Sequence, residues 1–274
     1  MTLSSKYSIN FRNIASELIE YMHLLKEGYR IKDKITIFLY ILFAPYRFYY
    51  RSYGNKPRHQ YIRDIILNNS DGLFDCGRSF ISSRIVSESY EKELKKFLNL
   101  KEGIFVDVGA HIGKYSISLG KRLGDNGSVI SIEPEPLNFN LLKKNIALNH
   151  LSNIKLQNVA CANHNSYEML YIHHDYPTLH SFYINPGSKR MKVKTIKLDT
   201  LIQNLGVNRV DLMKIDVEGA EIDVIKGSLD ILKKYHPKIV FEAFNMEYLK
   251  QIEKIFKNFN YSIRQIKQKN YIAY

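Results

Sequence analysis

The sequence contains no tryptophan, only two cysteines and relatively few acidic residues among its 274 positions. Cys76 and Cys161 are too few for a disulfide scaffold, and they exclude a zinc site made of cysteine alone. We expect both to be reduced core thiols, as is typical of a cytoplasmic chain. The 27 acidic residues face 40 lysines and arginines, and the resulting net charge of +13 predicts attraction to phosphate, anionic lipid or acidic glycan.

Long hydrophobic runs are also missing. A membrane-spanning helix needs about 20 apolar residues, and the most apolar stretch, residues 35–44, is far shorter. Residues 1–10 are polar and lack the apolar segment of a secretory signal, which again predicts the cytoplasm. Residues 32–53 combine aromatic and basic side chains and leave two alternatives open. They form either a buried helix or an anchor at the inner face of the membrane.

The sequence pattern changes along the chain. Residues 1–70 are expected to form a helical region, with helices within residues 11–50, and residues 71–274 a second domain. Residues 52–60 contain glycine and proline and are the best linker candidate. Residues 88–98 predict an amphipathic helix.

After residue 99, short apolar strands alternate with helices. Strands are predicted at 104–108, 128–132, 154–159, 210–217 and 239–244, and helices at 114–123, 137–149, 219–235 and 247–259. This alternation predicts an α/β fold, with a mostly parallel sheet and the ligand at the carboxyl ends of its strands. A last pair, residues 261–266 and 271–274, is expected to close the sheet. Residues 167–172 and 191–198 predict a hairpin or edge strands around a long loop, residues 173–190.

A glycine turn, residues 105–116 (FVDVGAHIGKYS), follows the first of these strands. Asp107 ends the strand, and Gly109 permits both a turn and the close approach of a ligand. The dinucleotide pattern requires glycine at position 111, where this chain has His111. S-adenosylmethionine carries no phosphate and tolerates a looser turn, and its amino group requires an acid.

A second carboxylate, Glu133, ends the next strand in the segment SVISIEPEP. In that position it can accept two hydrogen bonds from ribose hydroxyls. The alternative is that Glu133 only caps the helix after Pro134. Asp107, Gly109, Gly113 and Glu133 together predict a nucleoside-type cofactor.

These segments resemble the FkbM-type methyltransferases of the class I S-adenosylmethionine fold, over roughly residues 89–244. The resemblance is carried by Tyr90 with Glu91, VDVGAHIGKYS, SIEPEP, NVA at 158–160, TIKLDTL at 195–201 and VDLMKIDVEGAE at 210–221. It implies a Rossmann-like class I sheet with an antiparallel last strand, S-adenosylmethionine as cofactor, and methyl transfer, commonly to oxygen on sugars or natural products. The implied cofactor contacts are Asp107, Gly109, Gly113 and Glu133, and we assign Ala110, Pro134, Asn158 and Asp216 to the same site.

The segment VDLMKIDVEGAE also contains an unusual residue. Strand alternation places Lys214, Asp216 and Glu218 on one face. Central parallel strands are usually apolar on both faces, so Lys214 needs an acidic partner. We expect Lys214 to pair with Asp216 or another acid and to orient the site, with Asp216 facing the transferable methyl group. An ion pair without a catalytic role is the alternative.

Methyl transfer to an alcohol also needs a base that removes the proton. The candidates are Asp216, His111 and His180, and His111 alternatively only shapes the glycine turn. Glu218, Glu242 and His180 are expected to contact the acceptor. A Mg²⁺ ion among Asp216, Glu218 and Glu242 is not expected, because no ligand spacing demands it.

The expected acceptor is a hydroxyl of a sugar, glycan or small molecule. Amine methylation on nucleobases usually uses a motif with two prolines, where residues 216–219 are DVEG, and pyrimidine carbon methylation needs a cysteine beside proline. The basic N-terminal region keeps an RNA methyltransferase acting on ribose or tRNA open, although no RNA-binding module is recognised. A membrane-associated cofactor-binding protein without catalysis is the third alternative.

Overall fold

The computed structural model describes residues 11–43, 64–77, 79–172, 180–181 and 189–274, with the backbone alone at 11–17, 172, 180–181 and 189. The chain divides into two compact units, Met1–Tyr90 and Glu91–Tyr274. The domain boundary at residue 70 stays a prediction. Within the described ranges, no helix combines the length and the apolar character needed to cross a membrane.

A helical hairpin and a small strand pair build the first unit. Its elements are α1 (Phe11–Glu27), α2 (Ile31–Leu42), β1 (Ile66–Asn68), β2 (Leu73–Asp75) and α3 (Phe80–Val86). Asp33 fixes the start of α2, because it accepts hydrogen bonds from the backbone and the guanidinium of Arg30, each at 2.8 Å. The helices predicted within residues 11–50 are confirmed as far as Leu42. The predicted linker, residues 52–60, lies outside the described residues.

Helix α2 is buried on one side only. Its buried residues are Asp33 and Ile37, and the ring of Tyr40 stacks on Phe80 with centroids 3.7 Å apart. On the opposite side, Ile31 and Leu42 are 79% and 58% exposed. The alternative of a buried helix over residues 35–44 is therefore wrong for the part that the structure describes.

The second unit contains two sheets. Its strands are β3 (Gly103–Val108), β4 (Gly127–Ile132), β5 (Ile154–Gln157), β6 (Ala160–Cys161), β7 (Ser166–Ile172), β8 (His180–Ser181), β9 (Lys189–Ile196), β10 (Leu212–Ile215), β11 (Lys238–Glu242), β12 (Ile263–Lys267) and β13 (Asn270–Ala273). The larger sheet has the order β12-β13-β11-β10-β3-β4-β5. Strand β13 runs antiparallel to β11 and β12, whereas β11, β10, β3, β4 and β5 are mutually parallel. The predicted sheet, mostly parallel with an antiparallel last strand, is confirmed.

The smaller sheet has the order β6-β9-β7-β8. Strands β7 and β9 pair antiparallel over seven positions, which confirms a hairpin and excludes edge strands of the larger sheet. Most of the predicted loop, residues 173–190, lies outside the described residues.

The helices of the second unit follow the prediction with three differences, the first of which is an unpredicted helix at Leu198–Asn204. The helices are α4 (Lys114–Leu123), α5 (Pro136–Leu148), α6 (Leu198–Asn204), α7 (Glu221–Lys226), α8 (Leu229–Tyr235) and α9 (Met246–Lys257). The single helix predicted at 219–235 is two helices, because the chain breaks at Gly227, whose carbonyl accepts the backbone N–H of Asp199 at 2.9 Å. The helix predicted at 88–98 is only a 3₁₀ turn, Lys92–Lys96, because Glu91 before it has the left-handed φ of +48°.

Alternation along the strands separates the apolar core of the larger sheet into two clusters. Val106 and Met213 pack in one cluster, and Phe105 and Leu212 pack in the other. Apolar side chains therefore cover both faces of the central strands. Lys214 lies on the same face as Leu212, and it is buried among these side chains.

Candidate active site

The glycine turn after β3 packs closely against the end of β10. Gly109 and Ala110 both donate backbone hydrogen bonds to the carbonyl of Ile132 at 3.0 Å. Gly109 has a φ of +84°, and a Cβ atom there would overlap the carbonyl oxygen of Asp216. The sequence suggested that Gly109 leaves room for a ligand, but the structure gives a different reason. Only glycine lets the two chain segments approach this closely.

The same turn ends at Gly113, directly before α4. Its φ is +102°, and a Cβ atom there would lie 2.7 Å from Cδ1 of Leu142. His111 has a φ of +50°, a left-handed conformation that is uncommon outside glycine. Its backbone N–H donates to Oε2 of Glu133 at 2.9 Å. The turn is thus fixed by helix packing at one end and by a carboxylate in its middle.

Glu133 is buried at the end of β4 and is held by backbone donors. Besides the N–H of His111, it accepts the N–H of Glu135 at 3.0 Å. Helix α5 is capped by Glu135, which accepts the N–H of Asn138 at 2.6 Å, so the alternative that Glu133 is the cap is wrong. Burial raises the pKa of Glu133 to about 7, although the two backbone donors act in the opposite direction.

Asn158 supports this strand end from β5. Its side-chain amide donates to the carbonyls of Glu133 and Pro134, at 2.8 Å and 3.2 Å. Asn158 therefore fixes the backbone of Glu133 and Pro134 at the end of β4.

Asp107, at the end of β3, is almost completely buried. Its Oδ2 accepts a hydrogen bond from Ser116 at 2.6 Å, and Ser116 in turn accepts one from Ser131 at 2.7 Å. Its Oδ1 is buried and has no hydrogen-bond partner among the described residues. Burial raises the pKa of Asp107, and the nearby Lys214 ammonium opposes that rise. Asp107 therefore keeps one unused acceptor in a buried position.

Lys214 connects the ends of β3 and β10. Its Nζ donates to Oδ2 of Asp216 at 2.7 Å, and the residue lies opposite Asp107 in the strand register. The expected ion pair is therefore present. Burial disfavours the charge of Lys214, but the carboxylates around it outweigh that effect and raise its pKa. Burial also disfavours the charge of Asp216, yet Lys214 and, more weakly, His111 lower the pKa of Asp216.

Tyr115 and Glu91 extend this network, and the sequence assigned no role to either. The ammonium of Lys214 lies 4.7 Å from the centroid of the Tyr115 ring, a cation–π contact. The hydroxyl of Tyr115 donates to Glu91 at 2.7 Å, and the amide of Asn270 donates to the same carboxylate at 3.3 Å. The one signal in the sequence was that both residues belong to the segments that carry the family resemblance.

A second lysine–carboxylate pair lies at the end of β11. Glu242 is buried, and the Nζ of Lys269 lies 2.6 Å from its Oε2. Burial and the charge of Asp216 raise the pKa of Glu242 to about 8, although Lys269 opposes the rise. The sequence missed Lys269 because it lies in the turn between β12 and β13, far along the chain from every recognised motif.

Glu218 lies in the tight turn after β10 and has a φ of +52°. Burial and the charge of Asp216 raise its pKa to about 7. Glu221 holds this turn, because its Oε1 accepts the N–H groups of Val217 and Gly219 at 3.1 Å and 3.2 Å. Glu218 is therefore presented by a fixed backbone beside the Lys214–Asp216 pair.

The described residues do not place every expected group. His180 lies in β8, where its backbone pairs with Ile172, but its side chain is not described. Its assigned contact with the acceptor stays a prediction. Within the described ranges, no group of three or more histidine, cysteine, aspartate or glutamate side chains is arranged to hold a metal ion.

The carboxyl edge of the larger sheet thus offers two chemically different sets of acids. Asp107 and Glu133 lie beside the glycine turn, and Asp107 has a free acceptor oxygen. This set fits a ligand that carries an amino group and neighbouring hydroxyls. Asp216, Glu218 and Glu242 lie with Lys214 and Lys269, and the raised pKa values of the two glutamates suit the exchange of a proton near neutral pH.

Comparison with known proteins identifies the family. A family model described as the methyltransferase FkbM domain matches residues 107–263. The chain is 29% identical to methyltransferase sdnD of Sordaria araneosa, over 52% of this chain and 67% of that protein. It is 24% identical to methyltransferase 1 of Beauveria bassiana, over 46% of this chain and 58% of that protein.

Among solved structures, the chain is similar to a methyltransferase FkbM from Methylobacillus flagellatus KT. The two share 15% identity with a TM-score of 0.46, over 96% of this chain and 60% of that one. The chain therefore spans less than two thirds of this structure and of the Beauveria relative.

The family match confirms several expectations from the sequence. These are the resemblance itself, the class I methyltransferase sheet, a methyltransferase as the class of enzyme, and S-adenosylmethionine as cofactor. The match covers the glycine turn, the Lys214–Asp216 pair and strand β11, and it ends in strand β12. The chain belongs to the methyltransferase FkbM domain family.

Proposed function

We propose that this chain transfers a methyl group from S-adenosylmethionine to a hydroxyl oxygen of a sugar, glycan or small molecule. The observation that carries the proposal is the cluster of Asp216, Glu218 and Glu242 with two lysines at the ends of β10 and β11. A hydroxyl must lose its proton as the new bond to carbon forms, so it needs a base. A neutral amine already has a nucleophilic lone pair and has less need of one.

The acids beside the glycine turn are proposed to bind the cofactor. Glu133 would accept hydrogen bonds from the ribose hydroxyls, and Oδ1 of Asp107 would accept one from the ammonium group. Two features support this assignment: the backbone donors that fix Glu133, and the unused buried acceptor on Asp107. Gly109, Ala110 and Gly113 would line the turn against the same molecule.

Glu218 is the proposed base, in place of the residues that the sequence favoured. The ion pair with Lys214 lowers the pKa of Asp216, so that this carboxylate is a weak proton acceptor. The pKa of Glu218 is raised to about 7, which suits proton transfer near neutral pH. Asp216 would keep the role of orienting the site, through its bond with Lys214. Glu242 would contact the acceptor, and its ion pair with Lys269 would limit the rise of its pKa.

When bound, S-adenosylmethionine would supply a methyl group from its positively charged sulfur, and the rest of the molecule would leave as a neutral thioether. The carboxylate of Glu218 would accept the proton that the acceptor hydroxyl loses when it is methylated. Because the three reacting atoms must be in line, much of the rate enhancement comes from positioning. The residues that fix the two chain turns, Gly109 and Glu221, serve that purpose.

Incubation with isotopically labelled S-adenosylmethionine and separated cell glycans, small molecules, lipids and RNA tests this proposal. We expect methyl label in the glycan or small-molecule fraction, recovered as a methyl ether. Asp216→Asn should abolish the transfer and leave the affinity for S-adenosylmethionine within about twofold, which calorimetry measures. Label recovered only on nitrogen, or near-normal turnover by Asp216→Asn, would contradict the proposal.

RNA is a second candidate acceptor, favoured by one surface of the smaller sheet. Cations of β9 contact the rings of tyrosines of β7: Lys192 lies 4.9 Å from the ring of Tyr167, and Arg190 lies 5.5 Å from the ring of Tyr171. Such a surface suits single-stranded nucleic acid. RNA would be the acceptor if total RNA took up label and if its binding fell steeply between low and moderate salt.

We also place the activity in the cytoplasm. Both cysteines are free and buried, which supports a reducing compartment.

A further inference from the structure

We propose that the outer face of helix α2 docks on an anionic membrane surface and holds the protein there. This face consists of Ile31, Ile35, Phe38, Leu39 and Leu42, and we call it the α2 stripe. It lies wholly within the first unit and does not depend on the proposed acceptor. The remainder of the predicted anchor, residues 44–53, lies outside the described residues.

The α2 stripe is continuous and exposed. Residues 31, 35, 38 and 42 follow the helical spacing that puts side chains on one face. Their side chains are 53% to 79% exposed, and Leu39 beside them is 45% exposed. Isolated exposed apolar side chains are ordinary, but five large ones on a single helix face indicate a surface that another apolar phase covers.

The polar residues of α2 indicate what covers the stripe. Lys32 and Lys34 are exposed and lie on opposite sides of the stripe in helical projection. Asp33, the one acid of the helix, is buried on the far side and is bound to Arg30. The exposed side of α2 is therefore apolar in the middle, cationic at both margins and free of acids.

This charge pattern favours lipid over a second copy of the chain. Two copies joined through the stripe would bring their lysines together, and like charges would oppose the contact. Anionic lipid headgroups complement both margins while the acyl chains accept the stripe. Helix α2 has 12 residues and is too short to span a bilayer, so it would lie in the plane of the interface.

Vesicle flotation of the full chain tests the proposal. We expect the protein to float with vesicles of phosphatidylcholine and phosphatidylglycerol, and much less with phosphatidylcholine alone. The double variant Phe38→Glu with Leu42→Glu should lower the bound fraction at least about tenfold, since it removes apolar contact and adds repulsion. The matched control, Leu137→Glu with Met246→Glu, adds the same charge at exposed positions of the second unit and should float normally.

A second variant separates charge from apolar contact. Lys32→Gln with Lys34→Gln should weaken flotation several-fold and reduce its dependence on salt. Circular dichroism and the affinity for S-adenosylmethionine report whether each variant is folded. Equal flotation on neutral and anionic vesicles, or normal flotation of the Phe38 and Leu42 variant, would overturn the proposal. A dimer in light scattering that this variant dissociates, with no flotation of the parent chain, would instead assign the stripe to a second copy.

Discussion

Glu133, at the end of β4, and Glu218, after β10, are two carboxylates whose pKa values burial raises to about 7, but their surroundings differ. Glu133 accepts two backbone N–H groups, which carry no net charge, and Glu135 is the one charged neighbour among the described residues that shifts its pKa. Glu218 lies beside Asp216 and near Lys214 and Lys269, all of which carry charge. A raised pKa by itself therefore does not identify a base. The backbone donors hold Glu133 beside the glycine turn, which suits the binding of a ligand, whereas Glu218 lies among the acids and lysines of the proposed acceptor side, which suits a base.

The largest effect is expected at Lys214, because its charge stabilises both Asp107 and Asp216. Lys214→Met leaves the buried Asp107 and the partly buried Asp216 without their cation, which should lower the free energy of unfolding by about 3–5 kcal/mol. Urea denaturation measures this loss. Lys267→Met removes an exposed ion pair with Glu93 and should cost less than about 1 kcal/mol. Similar losses for both lysines would show that Lys214 is no different from a surface cation.

Removal of the proposed base should affect the chemical step alone. We expect Glu218→Gln to lower kcat by about 10²–10⁴ and to leave the affinity for S-adenosylmethionine unchanged. In the parent enzyme kcat should rise with pH through about 7, because Glu218 must lose its proton before it can accept another. The variant should lose this dependence. Glu247→Gln, at an exposed glutamate of α9, is the matched control. A pH profile that is the same in parent and variant would assign the base elsewhere.

The glutamate assigned to the cofactor, Glu133, should show the opposite pattern, in which binding changes rather than the chemical step. Glu133→Gln is expected to weaken S-adenosylmethionine binding about tenfold, because a charged acceptor is replaced by a neutral one. In the parent chain this affinity should increase as pH rises through about 7, where Glu133 becomes a carboxylate. Calorimetry across this range checks both statements. Normal affinity in the variant would contradict the assignment of Glu133 to the cofactor. Normal affinity together with slow transfer would give Glu133 the role proposed for Glu218.

The smallest effect concerns Lys269. Its ammonium lowers the pKa of Glu218 and of Glu242, so Lys269→Met should move the midpoint of the kcat profile to higher pH. The maximal rate at high pH should change little. Lys250→Met, an exposed lysine of α9, should leave the midpoint in place. A shift to lower pH would contradict the electrostatic account of the cluster.

The sequence predicted those features that local patterns determine. Alternation of strands and helices gave the larger sheet, and a lysine in an apolar strand gave the Lys214–Asp216 pair, because both signals lie within a few residues. Features that depend on distant partners were missed or misread. The backbone N–H of Asp199 binds the carbonyl of Gly227, where the predicted long helix breaks. Lys269, in the turn between β12 and β13, forms an ion pair with Glu242. Glu133 lies at the end of its strand as predicted, but the exclusion of Glu133 as the helix cap needed the position of Glu135.

The contact between Gly109 and the carbonyl oxygen of Asp216 has a consequence for redesign. The glycine turn, which we assign to the methyl donor, packs directly against the end of β10, which we assign to the acceptor. The contact leaves no room for a methyl group on Gly109. Any substitution that shifts this backbone at the end of β10 would also displace the glycine turn packed against it. Engineers who seek a new acceptor should therefore vary side chains around Glu242 and leave the main chain of β10 in place.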